Sequence, residues 1–83
     1  MNKMRSRRIH EWICTLDCDD IRDLHYNFRQ FQNDGNIVGT FLYSACQHLM
    51  ELEEFQQFDL ERMADAIMLE LYMKLAIESS VVL

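Results

Sequence analysis

The sequence predicts an all-α fold, a small bundle of about four helices that forms a homodimer through its C-terminal helix. The 83 residues include no proline and two glycines, which leaves few positions for tight turns. Apolar residues repeat at spacings of three and four along most of the chain, as on one face of a helix. The last repeat, residues 60–77, is apolar on two faces, whereas a helix that only covers its own core needs one.

The first two helices are predicted on either side of Asp17. Apolar residues at helical spacing between Ile9 and Leu16 predict the first helix, over about residues 5–16. Asp17 can cap the second helix, which carries a continuous apolar stripe and runs to about Gln32. The turn signal NDGN follows and ends this helix.

The third and fourth helices are predicted from two further caps. Asn36 can cap the third helix, which extends to about Leu52. Residues 37–44 are rich in strand-forming side chains, so a strand there remains an alternative. Asp59 can cap the fourth helix, which runs to about Glu78.

The chain is predicted to form one helical domain, residues 1–83, with a frayed basic arm at residues 1–8 and a tail at residues 79–83. A chain of this length buries only about 60% of its unfolded surface, so a second buried interface would help to stabilise it. The arm holds four of the eight basic residues, and the whole chain has a net charge of −6, so the body is strongly acidic. Such a body is repelled by a phosphate backbone and suits a basic protein surface.

The two-faced fourth helix predicts where two copies meet. One of its faces covers the core, and an uncovered second face would promote aggregation unless it is paired. Two-fold dimers are the commonest form of such pairing. The predicted dimer interface consists of Ala66, Leu69, Met73, Ala76 and Ile77. In the alternative, the fourth helix is central and is wrapped by its own domain.

A second predicted surface combines aromatic and acidic side chains and would bind a protein target with a basic surface. We expect the small core to leave some aromatic side chains outside, where neighbouring acids would give them an acidic rim. The predicted partner-binding residues are Trp12, Glu51, Glu53, Glu54, Phe55 and Phe58. In the alternative, Phe55 and Phe58 close the core between the third and fourth helices.

No catalytic, cofactor-binding or metal-binding site is predicted. Cys14, Cys18, Cys46 and His48 lack the spacing of a zinc site, and no histidine lies in the signature of a thiol enzyme. The aspartates from Asp17 onward are typical of a helix start rather than of a calcium loop. The odd cysteine count and the lack of a signal-peptide or membrane-spanning pattern predict a cytoplasmic protein.

One segment of the sequence resembles a known family. YSACQH, residues 43–48, is similar to the YSAADH stretch of the Hha/YmoA family, whose members are small all-helical modulators that bind a nucleoid-structuring protein. The spacing of Trp12, Leu16, Ile21 and Leu24 also looks like theirs, so the resemblance covers roughly residues 12–52. It implies an alternative function, a small dimeric DNA-binding or nucleoid-associated modulator of transcription. In that alternative, the basic arm would contact nucleic acid through Lys3, Arg5, Arg7 and Arg8.

The predicted function is non-enzymatic regulation by protein–protein contact. We expect an acidic helical adaptor, anti-activator or inhibitor that docks on a basic surface of its target, such as a nucleic-acid-binding face. The size, the charge and the lack of recognisable chemistry are typical of phage- or plasmid-encoded regulators. The expected partners are a second copy of the chain and this protein target, without a membrane or a small-molecule substrate.

Overall fold

The chain folds into four α-helices and one short 3-10 turn within the residues that the structure describes. The computed structural model describes the backbone of residues 3–82 and the side chains of residues 3–78. The helices are α1 (Lys3–Ile13), α2 (Cys18–Asp34), α3 (Phe41–Met50) and α4 (Leu60–Val82), and the 3-10 turn spans Glu53–Phe55. The predicted all-α bundle is confirmed for residues 3–82, where no strand occurs.

The α4 helix is the centre of the bundle and packs against the other three helices. The first three turns of α4 supply Met63, Ile67 and Leu71 to the core, each fully buried. The other helices and the turn after α3 surround them with buried apolar side chains, among them Ile9, Ile13, Leu24, Leu42, Leu49 and Phe55. No helix within residues 3–82 combines the length and the apolar character needed to cross a membrane.

Both ends of α2 follow from local chemistry. The Asp17 side chain accepts a hydrogen bond from the backbone N–H of Asp20 at 2.9 Å, and the Asp20 carboxylate accepts one from the N–H of Asp17 at 3.4 Å. These reciprocal bonds form a capping box, which satisfies amide groups that a helix start leaves without partners. At the other end, Gly35 has φ +70° and donates its N–H to the Phe31 carbonyl, so the helix stops there.

The α3 helix begins four residues later than predicted. Gly39 adopts φ +85°, a left-handed conformation that interrupts a helix, and Thr40 then caps α3 by accepting a hydrogen bond from the Tyr43 N–H at 3.2 Å. Asn36, the predicted cap, instead accepts a hydrogen bond from the N–H of Val38 within the loop. Residues 37–40 therefore form a turn and belong to neither the predicted helix nor the alternative strand.

The two chain ends are more helical than predicted. The α1 helix begins at Lys3, where the sequence predicts a frayed arm, because Arg5 and Arg8 of its first turns both contact Glu54. The α4 helix begins after the predicted cap Asp59, which accepts a hydrogen bond from the N–H of Arg62 at 2.8 Å, and its backbone continues through residues 79–82. Residues 1, 2 and 83 of the predicted arm and tail lie outside the described residues.

Candidate protein-binding surface

The outward side of α4 changes from charged to apolar along the helix. At 100° per residue, the same side carries Glu61 and Asp65 in the early turns and then Leu69, Tyr72 and Met73. All five side chains are exposed. The first part of this side is therefore typical of a solvated helix, and the second part is typical of a contact surface.

The apolar part of this side is the candidate binding surface, here called the α4 face. It consists of Leu69, Tyr72, Met73, Ala76 and Ile77. Leu69 is 52% exposed, Met73 is 50% exposed and Ile77 is 62% exposed. Among the described residues, eight large apolar side chains are exposed, and four of them belong to the α4 face. This concentration in about two helical turns distinguishes the α4 face from scattered surface residues, which need no partner.

The charged residues of these turns do not reach the α4 face. Glu70 is 6% exposed, turns toward α1 and accepts a hydrogen bond from the Ser6 hydroxyl. Lys74 forms an ion pair with Glu78 at the side of the helix, and its hydrogen bond to that carboxylate raises the pKa of the lysine. Within these turns the α4 face therefore exposes apolar side chains, and the charged residues Arg62 and Asp65 adjoin it only at the Leu69 end.

The α4 face contains four of the five residues of the predicted dimer interface. Leu69, Met73, Ala76 and Ile77 are exposed on one side of the helix, as an interface requires. The assignment of Ala66 to the interface is wrong, because Ala66 is 6% exposed and packs into the core of its own chain. Tyr72 was missed, although its position three residues after Leu69 places it on the same side. Its hydroxyl lies 3.1 Å from Nδ1 of His25 on α2, which fixes the ring at the edge of the α4 face.

The predicted aromatic anchor lies inside the protein. Phe55 is fully buried and Phe58 is 6% exposed, and their rings meet edge to face with centroids 5.1 Å apart. The 3-10 turn that contains Phe55 folds both rings back into the core between α3 and α4. The structure therefore contradicts their assignment to a partner-binding surface and agrees with the alternative. Trp12 is half-buried and packs against Phe41, with ring centroids 6.2 Å apart.

Two of the three predicted rim acids remain exposed. Glu51 and Glu53 are exposed and form no ion pair among the described residues. Glu54 is half-buried, because its carboxylate pairs with Arg8 at 3.5 Å and its carbonyl accepts a hydrogen bond from Nε of Arg5 at 2.8 Å. The acidic charge that a partner could meet near this turn is therefore supplied by Glu51 and Glu53.

The basic residues of the alternative nucleic-acid surface are largely engaged within the chain. Arg5 and Arg8 both contact Glu54, and Arg7 pairs with Glu11 one helical turn away at 3.1 Å. Of the four side chains, that of Lys3 alone forms no hydrogen bond or ion pair among the described residues. A nucleic acid would have to displace the carboxylates of Glu11 and Glu54 before it could use Arg7 and Arg8, whereas the guanidinium of Arg5 donates to a backbone carbonyl.

The cysteines and histidines do not converge on one site in the described part of the chain. Cys14 and Cys18 are exposed, whereas Cys46 is buried, and no group of three potential ligands among the described residues is arranged to hold a metal ion. Sγ of Cys14 lies 3.6 Å from Nε2 of His10. No further polar group of the described residues orients that imidazole, as a thiol enzyme would require.

The burial of Cys46 predicts a difference in thiol reactivity. Burial raises the pKa of the Cys46 thiol to about 12, so it has almost no thiolate near neutral pH, and it is also out of contact with solvent. We expect a disulfide reagent such as Ellman's reagent to modify Cys14 and Cys18 quickly in the folded protein. Cys46 should react at a comparable rate only in denaturant. Fast modification of all three thiols in the folded protein would contradict the buried position of Cys46.

Comparison of the chain with protein-family models, with curated protein sequences and with solved structures finds no match. The resemblance of residues 43–48 to the Hha/YmoA family therefore gains no support from a matching family model.

Proposed function

We propose that this protein is a non-enzymatic regulator that acts by protein–protein contact and that two copies pair through the α4 face. The observation that supports this proposal is the concentration of exposed, uncharged side chains from Leu69 to Ile77 in an otherwise acidic chain. Apolar patches of this kind mark contact sites, because leaving them in water costs free energy and risks aggregation.

A two-fold axis at Met73 gives a self-complementary pairing. If two α4 helices cross antiparallel at Met73, Leu69 of each copy lies opposite Ile77 of the other, and the two Met73 side chains meet in the centre. From Leu69 to Ile77 the helix rises about 12 Å, so the contact covers a little over two turns. Methionine suits the centre of this contact because its unbranched side chain adapts to the shape of its neighbours.

The regulatory step would be the docking of the acidic body on a basic surface of a target protein, such as a nucleic-acid-binding face. The net charge of −6 supports this choice, and so do the exposed carboxylates of Glu51 and Glu53, which have no basic partner in the described part of the chain. The two contacts are chemically different, because pairing of copies buries apolar surface whereas docking on a target joins opposite charges.

The two proposed contacts should differ in their dependence on salt concentration. We expect added salt to leave self-association unchanged or to strengthen it, because two copies of charge −6 repel each other and salt screens that repulsion. Binding to a target, once one has been isolated by pull-down, should weaken as salt rises. Light scattering measures the first effect, and calorimetric titration with the purified target measures the second.

A charge-matched pair of variants locates the docking site. Glu51→Gln combined with Glu53→Gln should weaken binding of the target about tenfold or more, whereas Glu61→Gln combined with Asp65→Asn removes the same charge elsewhere and should have a smaller effect. Target binding that is insensitive to both salt and the Glu51 and Glu53 changes would contradict the electrostatic part of the proposal.

A further inference from the structure

A cavity of about 310 Å³ lies between the start of α1 and the outward side of α4. It is lined by Arg5, Phe58, Arg62, Asp65, Ala66 and Leu69. The cavity combines two guanidinium groups with apolar walls, and neither the predicted interface nor the acidic docking surface uses the two arginines. It is therefore a site distinct from those described above, although Leu69 also belongs to the α4 face.

The two guanidinium groups lie against the same aromatic ring. The Cζ atoms of Arg62 and Arg5 are 4.1 Å and 5.0 Å from the centroid of the Phe58 ring, so both groups make cation–π contacts. These contacts, and the hydrogen bond from Nε of Arg5 to the Glu54 carbonyl, restrict the motion of the two groups. Two oriented guanidinium groups are a suitable receptor for a carboxylate, which accepts paired hydrogen bonds.

Neither guanidinium has a carboxylate partner among the described residues. Ion pairs within the described part of the chain do occupy other basic side chains, namely Arg7, Arg8, Arg22 and Lys74. Four of the eight basic side chains thus form no ion pair within the described residues, and Arg5 and Arg62 are the two of these that line the same cavity. An anion supplied from outside the chain would neutralise them.

The other residues that line the cavity indicate which class of anion it could bind. Leu69, which is 52% exposed, supplies apolar surface beside the arginines, whereas the buried Ala66 contributes little, and this apolar surface suits a ligand with an apolar tail. The Phe58 ring is almost fully buried under its two arginine contacts, so it offers little surface for stacking a nucleotide base. The carboxylate of Asp65 at the cavity opposes a dianion such as phosphate more than a monoanion.

We propose that this cavity binds an alkyl carboxylate, with the carboxylate held by Arg5 and Arg62 and the alkyl chain against Leu69. The proposal concerns a ligand site and does not depend on the proposed regulatory function. It would remain valid if the protein proved to be a monomer.

Three probes test the two halves of the site separately. Octanoate has both the carboxylate and the apolar tail, acetate has only the carboxylate, and 1-octanol has only the tail. In nuclear magnetic resonance titrations of the full chain, octanoate should produce saturable shifts of signals from the cavity residues. Acetate and 1-octanol should bind at least about tenfold more weakly, because each lacks one of the two interactions.

A matched arginine variant assigns the binding to the cavity. Arg62→Gln should weaken octanoate binding at least about tenfold, the usual effect of losing one charge-assisted hydrogen bond. Arg29→Gln on α2 makes the same charge change at an exposed arginine that also lacks an ion pair among the described residues, and it should change octanoate affinity less than twofold. Arg62→Lys keeps the charge without the forked donors and should give an intermediate affinity.

Any of three results would overturn the proposal: no saturable shift with octanoate, equal affinity for 1-octanol and octanoate, or equal weakening by Arg62→Gln and Arg29→Gln. Circular dichroism of each variant verifies that the helices are intact, so that a loss of binding reports on the site rather than on unfolding.

Discussion

Replacing both Leu69 and Met73 with glutamate should prevent the proposed dimer from forming and leave a folded monomer. Both side chains are about half exposed in the single chain, so the substitutions place the new charges in water and leave the core intact. In a two-fold dimer, the same change would bury four like charges at the centre of the contact, each without a partner. We expect dimerisation to weaken at least about a thousandfold, which corresponds to roughly 4 kcal/mol.

The control for this double variant is a charge introduced elsewhere. Val38 is 68% exposed in the loop before α3, so Val38→Glu makes the same kind of change outside the α4 face and should leave the mass unchanged. Light scattering gives the mass and circular dichroism gives the helix content of each variant. If Leu69→Glu/Met73→Glu kept the mass of the wild-type protein, the α4 face could not be the site of self-association.

Phe55→Ala should destabilise the protein by about 3–5 kcal/mol, as is typical when a buried aromatic ring is removed from a core. The Phe55 ring is fully buried and packs edge to face on Phe58, so truncation leaves a cavity that helices on several sides would have to fill. Small domains have a total stability of only about 5–15 kcal/mol, so this loss removes a substantial fraction of it.

The matched control is Tyr26→Ala, which removes an aromatic side chain that is 62% exposed on α2. It should change the free energy of unfolding by no more than about 0.5 kcal/mol. Urea denaturation followed by circular dichroism measures both variants. A Phe55→Ala protein as stable as the wild type would restore the prediction that Phe55 is a surface anchor for a partner.

Features set by residues close together in the chain were predictable from the sequence. Asp17 and Asp59 cap their helices as predicted, because a cap depends on backbone amides within three residues. The start of α3 was missed because Asn36 and Thr40 are both good caps. The choice between them depends on the left-handed conformation of Gly39 and on the burial of Ile37 in the core.

Features set by contacts between distant residues were not predictable. The sequence predicts a frayed basic N-terminal segment, but Arg5 reaches Glu54, 49 residues away in the chain. The same contact brings Arg5 to Phe58 beside Arg62 and so forms the proposed carboxylate site, for which sequence spacing gave no signal. The sequence leaves Phe55 and Phe58 either outside or in the core, because composition does not reveal how a short 3-10 turn directs its side chains.

The α4 face could be predicted from the sequence only in part. Helical periodicity identified a second apolar side of the last helix and selected Leu69, Met73 and Ile77, which are exposed together. It also selected Ala66, which the chain buries itself, because periodicity gives the angular position of a residue but not where the neighbouring helices end. Ala66 lies among the buried side chains of the bundle, whereas six of the seven side chains from residue 72 to residue 78 are exposed.

The mass of the wild-type protein in solution, measured by light scattering behind a sizing column over a range of concentrations, tests self-association through the α4 face most directly. We expect a mass twice that of the 10.0 kDa chain, with dissociation only on dilution. A mass of 10.0 kDa at every concentration would contradict the homodimer and would leave the α4 face as a site for a different protein.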